Sequence, residues 1–319
     1  MARDKIEQQK PQVVKTALLA ATSRPGMLKV QLALGRLLPG QKIPGFVSRL
    51  ISHQAPEANK PVVQHQAELP EMRDLPPVKG KVYMLEGCAM KLLYPRVHQA
   101  TWRLLRRVGY EVREVEQGCC GALHAHNGHL DHARRLAETL VASMPEELPV
   151  VVNSAGCGST MKEYGALLGE ECPFAGRVKD LSEFLVENGL LDALALATGF
   201  NETVTYHDAC HLAHGQRVTA PPRQLLRAIP NVRFVELAES DTCCGSAGIY
   251  NVTEPALARR LLDRKWSHIV ETGAQIVASG NPGCHAWIAQ AAKEQGATVK
   301  VMHTAEVLEA AFSGLSPFA

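Results

Sequence analysis

Two adjacent cysteines followed by glycine occur twice in this chain, at Cys119-Cys120-Gly121 and at Cys243-Cys244-Gly245. Each pair sits between two single cysteines, Cys88 and Cys157 in the first frame and Cys210 and Cys284 in the second. The intervening segments are 30 and 36 residues long in the first frame and 32 and 39 in the second. A frame that returns at this length calls for the same folded unit built twice, each time gathering three distant segments. Eight of the nine cysteines fall into two quartets, and four thiolates per quartet is the ligand count of an iron–sulfur cluster.

The totals narrow the setting. At 319 residues the chain is long enough for two domains, each with a core. Nine cysteines are too few for a disulfide scaffold, and Met1 is followed by the polar run ARDKIEQQK, not by an apolar leader. A reducing cytoplasm is therefore expected, where clustered cysteines more often bind metal or do chemistry than form bridges. No run of about 18 apolar residues is present, so no membrane span is expected.

Residues 1–55 carry nine Lys/Arg and two acids, although the whole chain is only +2. VVKTALLAA and MLKVQLALGRLLPG read there as short amphipathic helices, a basic arm. Such an arm packs on a partner or on its own body, or contacts an anionic membrane surface from the inner face of the cell membrane; peripheral association through residues 11–53 is the sharper expectation. Nucleic acid is not expected as a partner, because the arm lacks interleaved aromatics and the body is mildly acidic.

A polar, proline-bearing linker over 56–79 separates this arm from two repeats, 80–200 and 201–319. In the first, KVYMLEG, EVREV and PVVVN read as strands before Cys88, Cys119-Cys120 and Cys157. In the second, TVTYHD, VRFVEL and AQIVASG stand in the same places, and the strand VKVMH with a helix over 304–312 closes the chain. Helices are expected over 95–109, 131–144, 221–228 and 255–272. Strands alternating with helices predict an α/β fold of two tandem parallel-sheet domains. Ligands in such sheets gather beyond the carboxyl ends of the strands, where all eight cysteines fall.

Gly121 and Gly245 directly follow the pairs, where a missing side chain allows unusual backbone angles and lets amides approach sulfur. Adjacent cysteines on a regular strand face opposite ways, so each pair requires an irregular turn. Histidines cluster nearby, and His124 and His211 are the candidates for supporting contacts to the sulfurs because they lie close to cysteines in sequence. Cys172 belongs to neither quartet. Zinc, redox-active dithiols and buried structural cysteines are the alternatives to iron–sulfur binding. The Cys-x-x-Cys spacing of zinc ribbons is absent.

GCCGALHAH, VVNSAGCGSTMKEYG, TYHDACHLAHGQ, CCGSAGIYN and GNPGC carry a resemblance to the CCG domain of heterodisulfide-reductase-type proteins. They resemble more closely the iron–sulfur subunits of bacterial glycolate oxidases. The resemblance covers about residues 81–311. It implies two clusters of 4Fe–4S type, one per domain, held by Cys88, Cys119, Cys120 and Cys157 and by Cys210, Cys243, Cys244 and Cys284. It also implies electron transfer towards quinone from flavin-binding dehydrogenase subunits that oxidise a 2-hydroxyacid, with neither flavin nor nicotinamide on this chain. Family subunits begin with a ferredoxin-like domain whose cysteine runs this sequence lacks, which implies either a separate ferredoxin-like subunit or the loss of part of the electron relay. The heterodisulfide-reductase pattern ends in Cys-x-x-Cys, whereas Thr160 and Trp287 hold its last positions here. That departure favours electron transfer over the alternative, an enzyme acting on thiol or disulfide substrates.

Overall fold

The structure, a computed structural model, describes residues 66–68, 72 and 74–314. The basic arm expected over 1–55, its membrane contact and most of the 56–79 linker lie outside the described residues. Two four-stranded sheets, parallel throughout, account for the strands. The first comprises β1 (Gly80–Leu85), β2 (Tyr110–Val112), β3 (Val150–Val152) and β4 (Val178–Asp180), in the order β2-β1-β3-β4. The second comprises β5 (Thr203–Tyr206), β6 (Arg233–Val235), β7 (Ile276–Ser279) and β8 (Lys300–His303), in the order β6-β5-β7-β8. The α/β expectation of two parallel-sheet units therefore holds.

Burial explains which strands are central. Every residue of β3 (three valines) and of β7 (Ile-Val-Ala-Ser) is buried, as a strand covered on both faces requires. The edge strands β2 and β6 are only partly covered. The crossovers include α1 (Pro95–Arg107), α2 (Leu130–Ser143), α3 (Ala155–Lys162), α4 (Leu181–Glu187) and α5 (Leu190–Ala195) in the first half. In the second half are α6 (Ala220–Arg227), α7 (Pro255–Glu271), α8 (Pro282–Glu294) and α9 (Thr304–Ser313). Prolines open α1, α7 and α8, where a missing N–H costs nothing.

The helices expected over 95–109, 131–144, 221–228, 255–272 and 304–312 fall within two residues of those observed, and β2 stops three residues short of the expected EVREV strand. β4 and the helices α3, α4, α5 and α8 have no counterpart among the sequence expectations. VKD is too short to show a strand period, whereas the equivalent VKVMH in the second half is long enough. Asp180 and His303 cap α4 and α9 at equivalent places, each by a reciprocal capping box with Glu183 or Glu306.

One apolar core is shared between the halves. Val97, Leu104 and Leu105 of α1 meet Leu308 and Ala311 of α9, and Val204, Leu225 and Ile276 continue it. Each half has its own smaller core on the opposite face of its sheet, around Leu140 and Met161 in the first and Leu262 and Ile288 in the second. In each sheet the chain reverses direction between the first and third strands, β1/β3 and β5/β7. Such a reversal leaves a crevice beyond the strand ends, and Cys88 with Cys157, and Cys210 with Cys284, flank the two crevices.

Candidate metal centre

Each quartet is assembled from three strand exits. Cys88 follows β1, Cys119-Cys120 follow β2 through an irregular segment, and Cys157 lies in the first turns of α3. Cys88 Sγ is 3.4 Å from Cys119 Sγ, and the backbone N–H of Gly121 donates to Cys119 Sγ at 3.4 Å. Hydrogen bonds continue from Cys119 to Cys120 and from Cys120 to Cys157. Raised and lowered thiols therefore alternate around the quartet. Cys120 and Cys88 donate to Cys119 and hold it well below the ordinary thiol range; Cys120, with help from Ser154, lowers Cys157. The donors Cys88 and Cys120 are raised by the same bonds and by burial.

The second quartet repeats the pattern. Cys210 and Cys244 pull Cys243 down to about 2, and the Gly245 N–H reaches Cys243 Sγ at 3.3 Å. Cys244 is the main cause of the low Cys284, aided by His207 and by Asn281, whose Nδ2 donates to Cys284 Sγ at 3.4 Å. Cys210 and Cys244 are driven up. Four sulfurs this close cannot all be thiolates without a counter-charge, which bound metal ions would supply.

Glycine is required after each pair. Gly121 has φ +79° and Gly245 φ +93°, and a Cβ at these places would lie 2.9 Å from the Ala133 carbonyl and 2.4 Å from the Ala258 carbonyl. Both the left-handed backbone and the helix packed behind it exclude a side chain. Gly245→Ala is expected to cost about 3 kcal/mol, read by chemical denaturation; a loss under about 1 kcal/mol would contradict the close packing.

Buried polar anchors hold the strand exits. The His98 Nε2–H donates to the Glu86 carbonyl at 2.8 Å, and its Nδ1 accepts from Asn153 Nδ2 at 3.2 Å. His303 Nδ1 accepts from the Ala305 N–H at 3.1 Å, so its Nε2–H donates to the Asn153 carbonyl at 2.8 Å. Burial lowers both imidazoles to about 4, which keeps them neutral in these roles. A residue of β8 thereby fixes the exit of β3 in the other half, four residues before Cys157. Tyr164 O–H donates to the Cys120 carbonyl at 2.8 Å.

The two quartets open into one cleft of about 1290 Å³, counting solvent at its mouth, and all eight cysteines line it. The sequence reading placed a quartet at the edge of each sheet but did not bring the two together. His126 and His211, one from each half, stack across the cleft wall with ring centroids 4.4 Å apart. His211 Nδ1 is 3.7 Å from Cys210 Sγ. His124 is buried behind the first pair, 4.2 Å from the His132 ring, and its charge interaction helps lower Cys119. Thr160 hydroxyl contacts His126 Nε2 at 3.0 Å, and Trp287 lines the cleft. Cys172 stands apart, half-buried before a short helix (Pro173–Arg177).

In the second half, His207 and its neighbour Asp208 belong to the histidine-rich segment around Cys210, whereas Lys265 and Arg223 are not singled out by the sequence. His207 is fully buried three residues before Cys210, with a ring nitrogen and the Cys244 and Cys284 sulfurs all within 4.8 Å of one another. Neither ring nitrogen makes a hydrogen bond of normal geometry, so an acceptor or metal in the quartet would satisfy it. Lys265, 1% exposed on α7, donates to the Glu239 and Ser240 carbonyls just before Cys243. Burial lowers its pKa, while Cys244, Asp241, Glu239 and Asp208 push it back up. Buried Asp208 takes both terminal nitrogens of Arg223, at 2.8 and 2.6 Å. The only advance signal for Lys265 was a lysine interrupting the apolar face of a helix.

The donor set fits iron–sulfur binding: two four-thiol groups, half of whose cysteines are buried and the rest partly so, each with a backbone amide donor at a glycine turn. Fold and site thus define a duplicated parallel α/β protein with two cysteine-quartet centres facing a common cleft.

The family profile of the CCG cysteine-rich domain matches residues 82–162 and 204–289, and the chain belongs to that family. It is 36% identical over 247 residues to a probable glycolate oxidase iron-sulfur subunit of Bacillus subtilis, covering 73% of this chain and 55% of that protein. It is 31% identical over 259 residues to the glycolate oxidase iron-sulfur subunit of Escherichia coli, covering 77% and 62%. Lactate utilization protein A of Halalkalibacterium halodurans is 31% identical over 236 residues, covering 72% of this chain and 96% of that protein. The chain therefore spans little more than half the length of the first two relatives but nearly all of the third.

Proposed function

We propose that this chain is the iron–sulfur subunit of a flavin-dependent 2-hydroxyacid dehydrogenase complex. Glycolate is the favoured substrate, with lactate the alternative within the same class; electrons pass from reduced flavin towards quinone. The observation that supports it most is the pair of equivalent thiol quartets lining one cleft, joined to relatives named as iron-sulfur subunits. Iron–sulfur clusters supply one-electron transfer there. Cys88, Cys119, Cys120 and Cys157 hold one, and Cys210, Cys243, Cys244 and Cys284 the other. Gly121 and Gly245 direct amides at sulfur, burial of Cys119, Cys120 and Cys244 limits water, and His124, His207 and His211 add polar contacts.

The flavin and the oxidised carbon sit on partner subunits, because no G-x-G-x-x-G turn follows a strand in this chain. Cytoplasmic placement at the inner membrane face follows from the basic arm, and among the described residues no helix is long and apolar enough to cross a membrane. Thr160 and Trp287, where a fifth cysteine would stand, argue against thiol or disulfide substrates.

Iron and acid-labile sulfide measured after anaerobic purification, with paramagnetic resonance of the dithionite-reduced chain, test this reading. About eight irons per chain, four for each quartet, are expected. A chain that takes up neither iron nor sulfide on anaerobic reconstitution overturns it.

A further inference from the structure

The two centres are built by one repeated frame, so any difference between equivalent positions around them is informative. Ala133 lies behind Gly121 as Ala258 lies behind Gly245. Seven residues further along the same two helices stand Leu140 and Lys265, 0% and 1% exposed. Among the described residues, Lys265 is the only lysine or arginine buried to this degree.

The other differences largely offset one another. His207 stands where the first half has Leu85, each three residues before the first cysteine. The first half has its own buried imidazole, His124, where the second has Gly248. Each centre therefore has one buried histidine beside it.

Charges around Lys265 do not cancel it. Asp208 is paired with Arg223, and Glu239 with Arg264 and His268. Asp241 is over half exposed and lies 3.8 Å from His214. Lys265 itself bonds only to carbonyl oxygens, those of Glu239 and Ser240, on the loop that delivers Cys243 and Cys244. On the first-half side, Glu86 is paired with Lys91 and Lys162 with Glu183, and Leu140 contributes no charge. The second centre is thus left with one buried cation beside Cys244 that the first lacks. Adding an electron makes a cluster more negative, and a fixed positive charge in a low-dielectric surrounding favours that change.

We propose that Lys265 makes the two centres unequal, giving the second-half centre the higher reduction potential, so that a single electron entering the chain rests beside Cys244. This inference rests on the iron–sulfur reading above.

Redox titration of the iron-loaded full chain with dithionite, followed by paramagnetic resonance, is the test. Signals are assigned to each half with Cys120→Ser and Cys244→Ser, and iron and sulfide are measured on the same samples. Two potentials are expected, the higher belonging to the second half. Lys265→Met should lower that one alone, with the other unmoved, and Lys265→Arg should restore it. Equal potentials, a higher first-half potential, or a Lys265→Met chain that keeps its iron and both original potentials would each overturn the proposal. If Lys265→Met does not fold, the order of the two wild-type potentials decides. Failure to load iron in the wild-type chain would instead defeat the iron–sulfur reading, so the two failures are distinct.

Discussion

Cys244→Ser is expected to remove about half of the iron and sulfide, leaving a single paramagnetic signal, and Cys120→Ser to remove the other half. These two cysteines are the middle members of their quartets. Cys120 is bonded to both Cys119 and Cys157, and Cys244 to both Cys243 and Cys284. Serine keeps the shape but not the ligand, since a hydroxyl is far harder to deprotonate than a thiol. The effect is expected to stay in one half because each quartet hangs on its own sheet and has its own small core behind it. Metal analysis of the two variants checks this. Unchanged iron in either would remove that cysteine from the ligand set, and complete loss in both would show that the centres form only together.

Arg223→Met should lower stability by about 3–5 kcal/mol, the cost of leaving a buried carboxylate without its partner. Asp208 is 2% exposed in its side chain, and Arg223 is its only ion-pair partner among the described residues. Arg223 also bonds to Glu236 beyond β6 and to Ser240 Oγ, and its charge is held firmly by Asp208 first of all. One guanidinium therefore ties together the exit of β5 that carries Cys210 and the loop that carries Cys243 and Cys244. For a chain of this size the loss corresponds to a fall in melting temperature of roughly 5–8 °C. The second-half centre should lose iron before the first. The double variant Arg223→Met with Asp208→Asn should recover part of the stability, because the orphaned charge is gone. A change under about 1 kcal/mol in Arg223→Met would contradict the assignment.

Much of the site was legible because it is written in local terms. The cysteine frames, the glycines after the pairs and the apolar strands before them are all short-range signals, and they lead directly to two parallel sheets with thiols beyond the strand ends. His211 was identifiable by adjacency to Cys210, and the structure places its ring beside that sulfur. His124 was identifiable in the same way, and it sits behind Cys119. β4 escaped because three residues carry no period, and its place in the sheet comes from pairing with β3.

The amino-acid sequence by itself determined the duplication, the sheet type and the two places where only glycine fits. Those depend on spacing along one chain and on backbone sterics, which repeat wherever the frame repeats. Only the tertiary structure decided that both quartets face one cleft, that His126 and His211 stack across the two halves, and that His303 anchors a strand of the opposite half. It alone also decided that His207 and Lys265 are buried beside the second quartet. The physical reason is common to all four. Each depends on how the shared core of α1 and α9 docks one half on the other, or on which face of a helix is covered, and neither is encoded in the spacing of neighbouring residues.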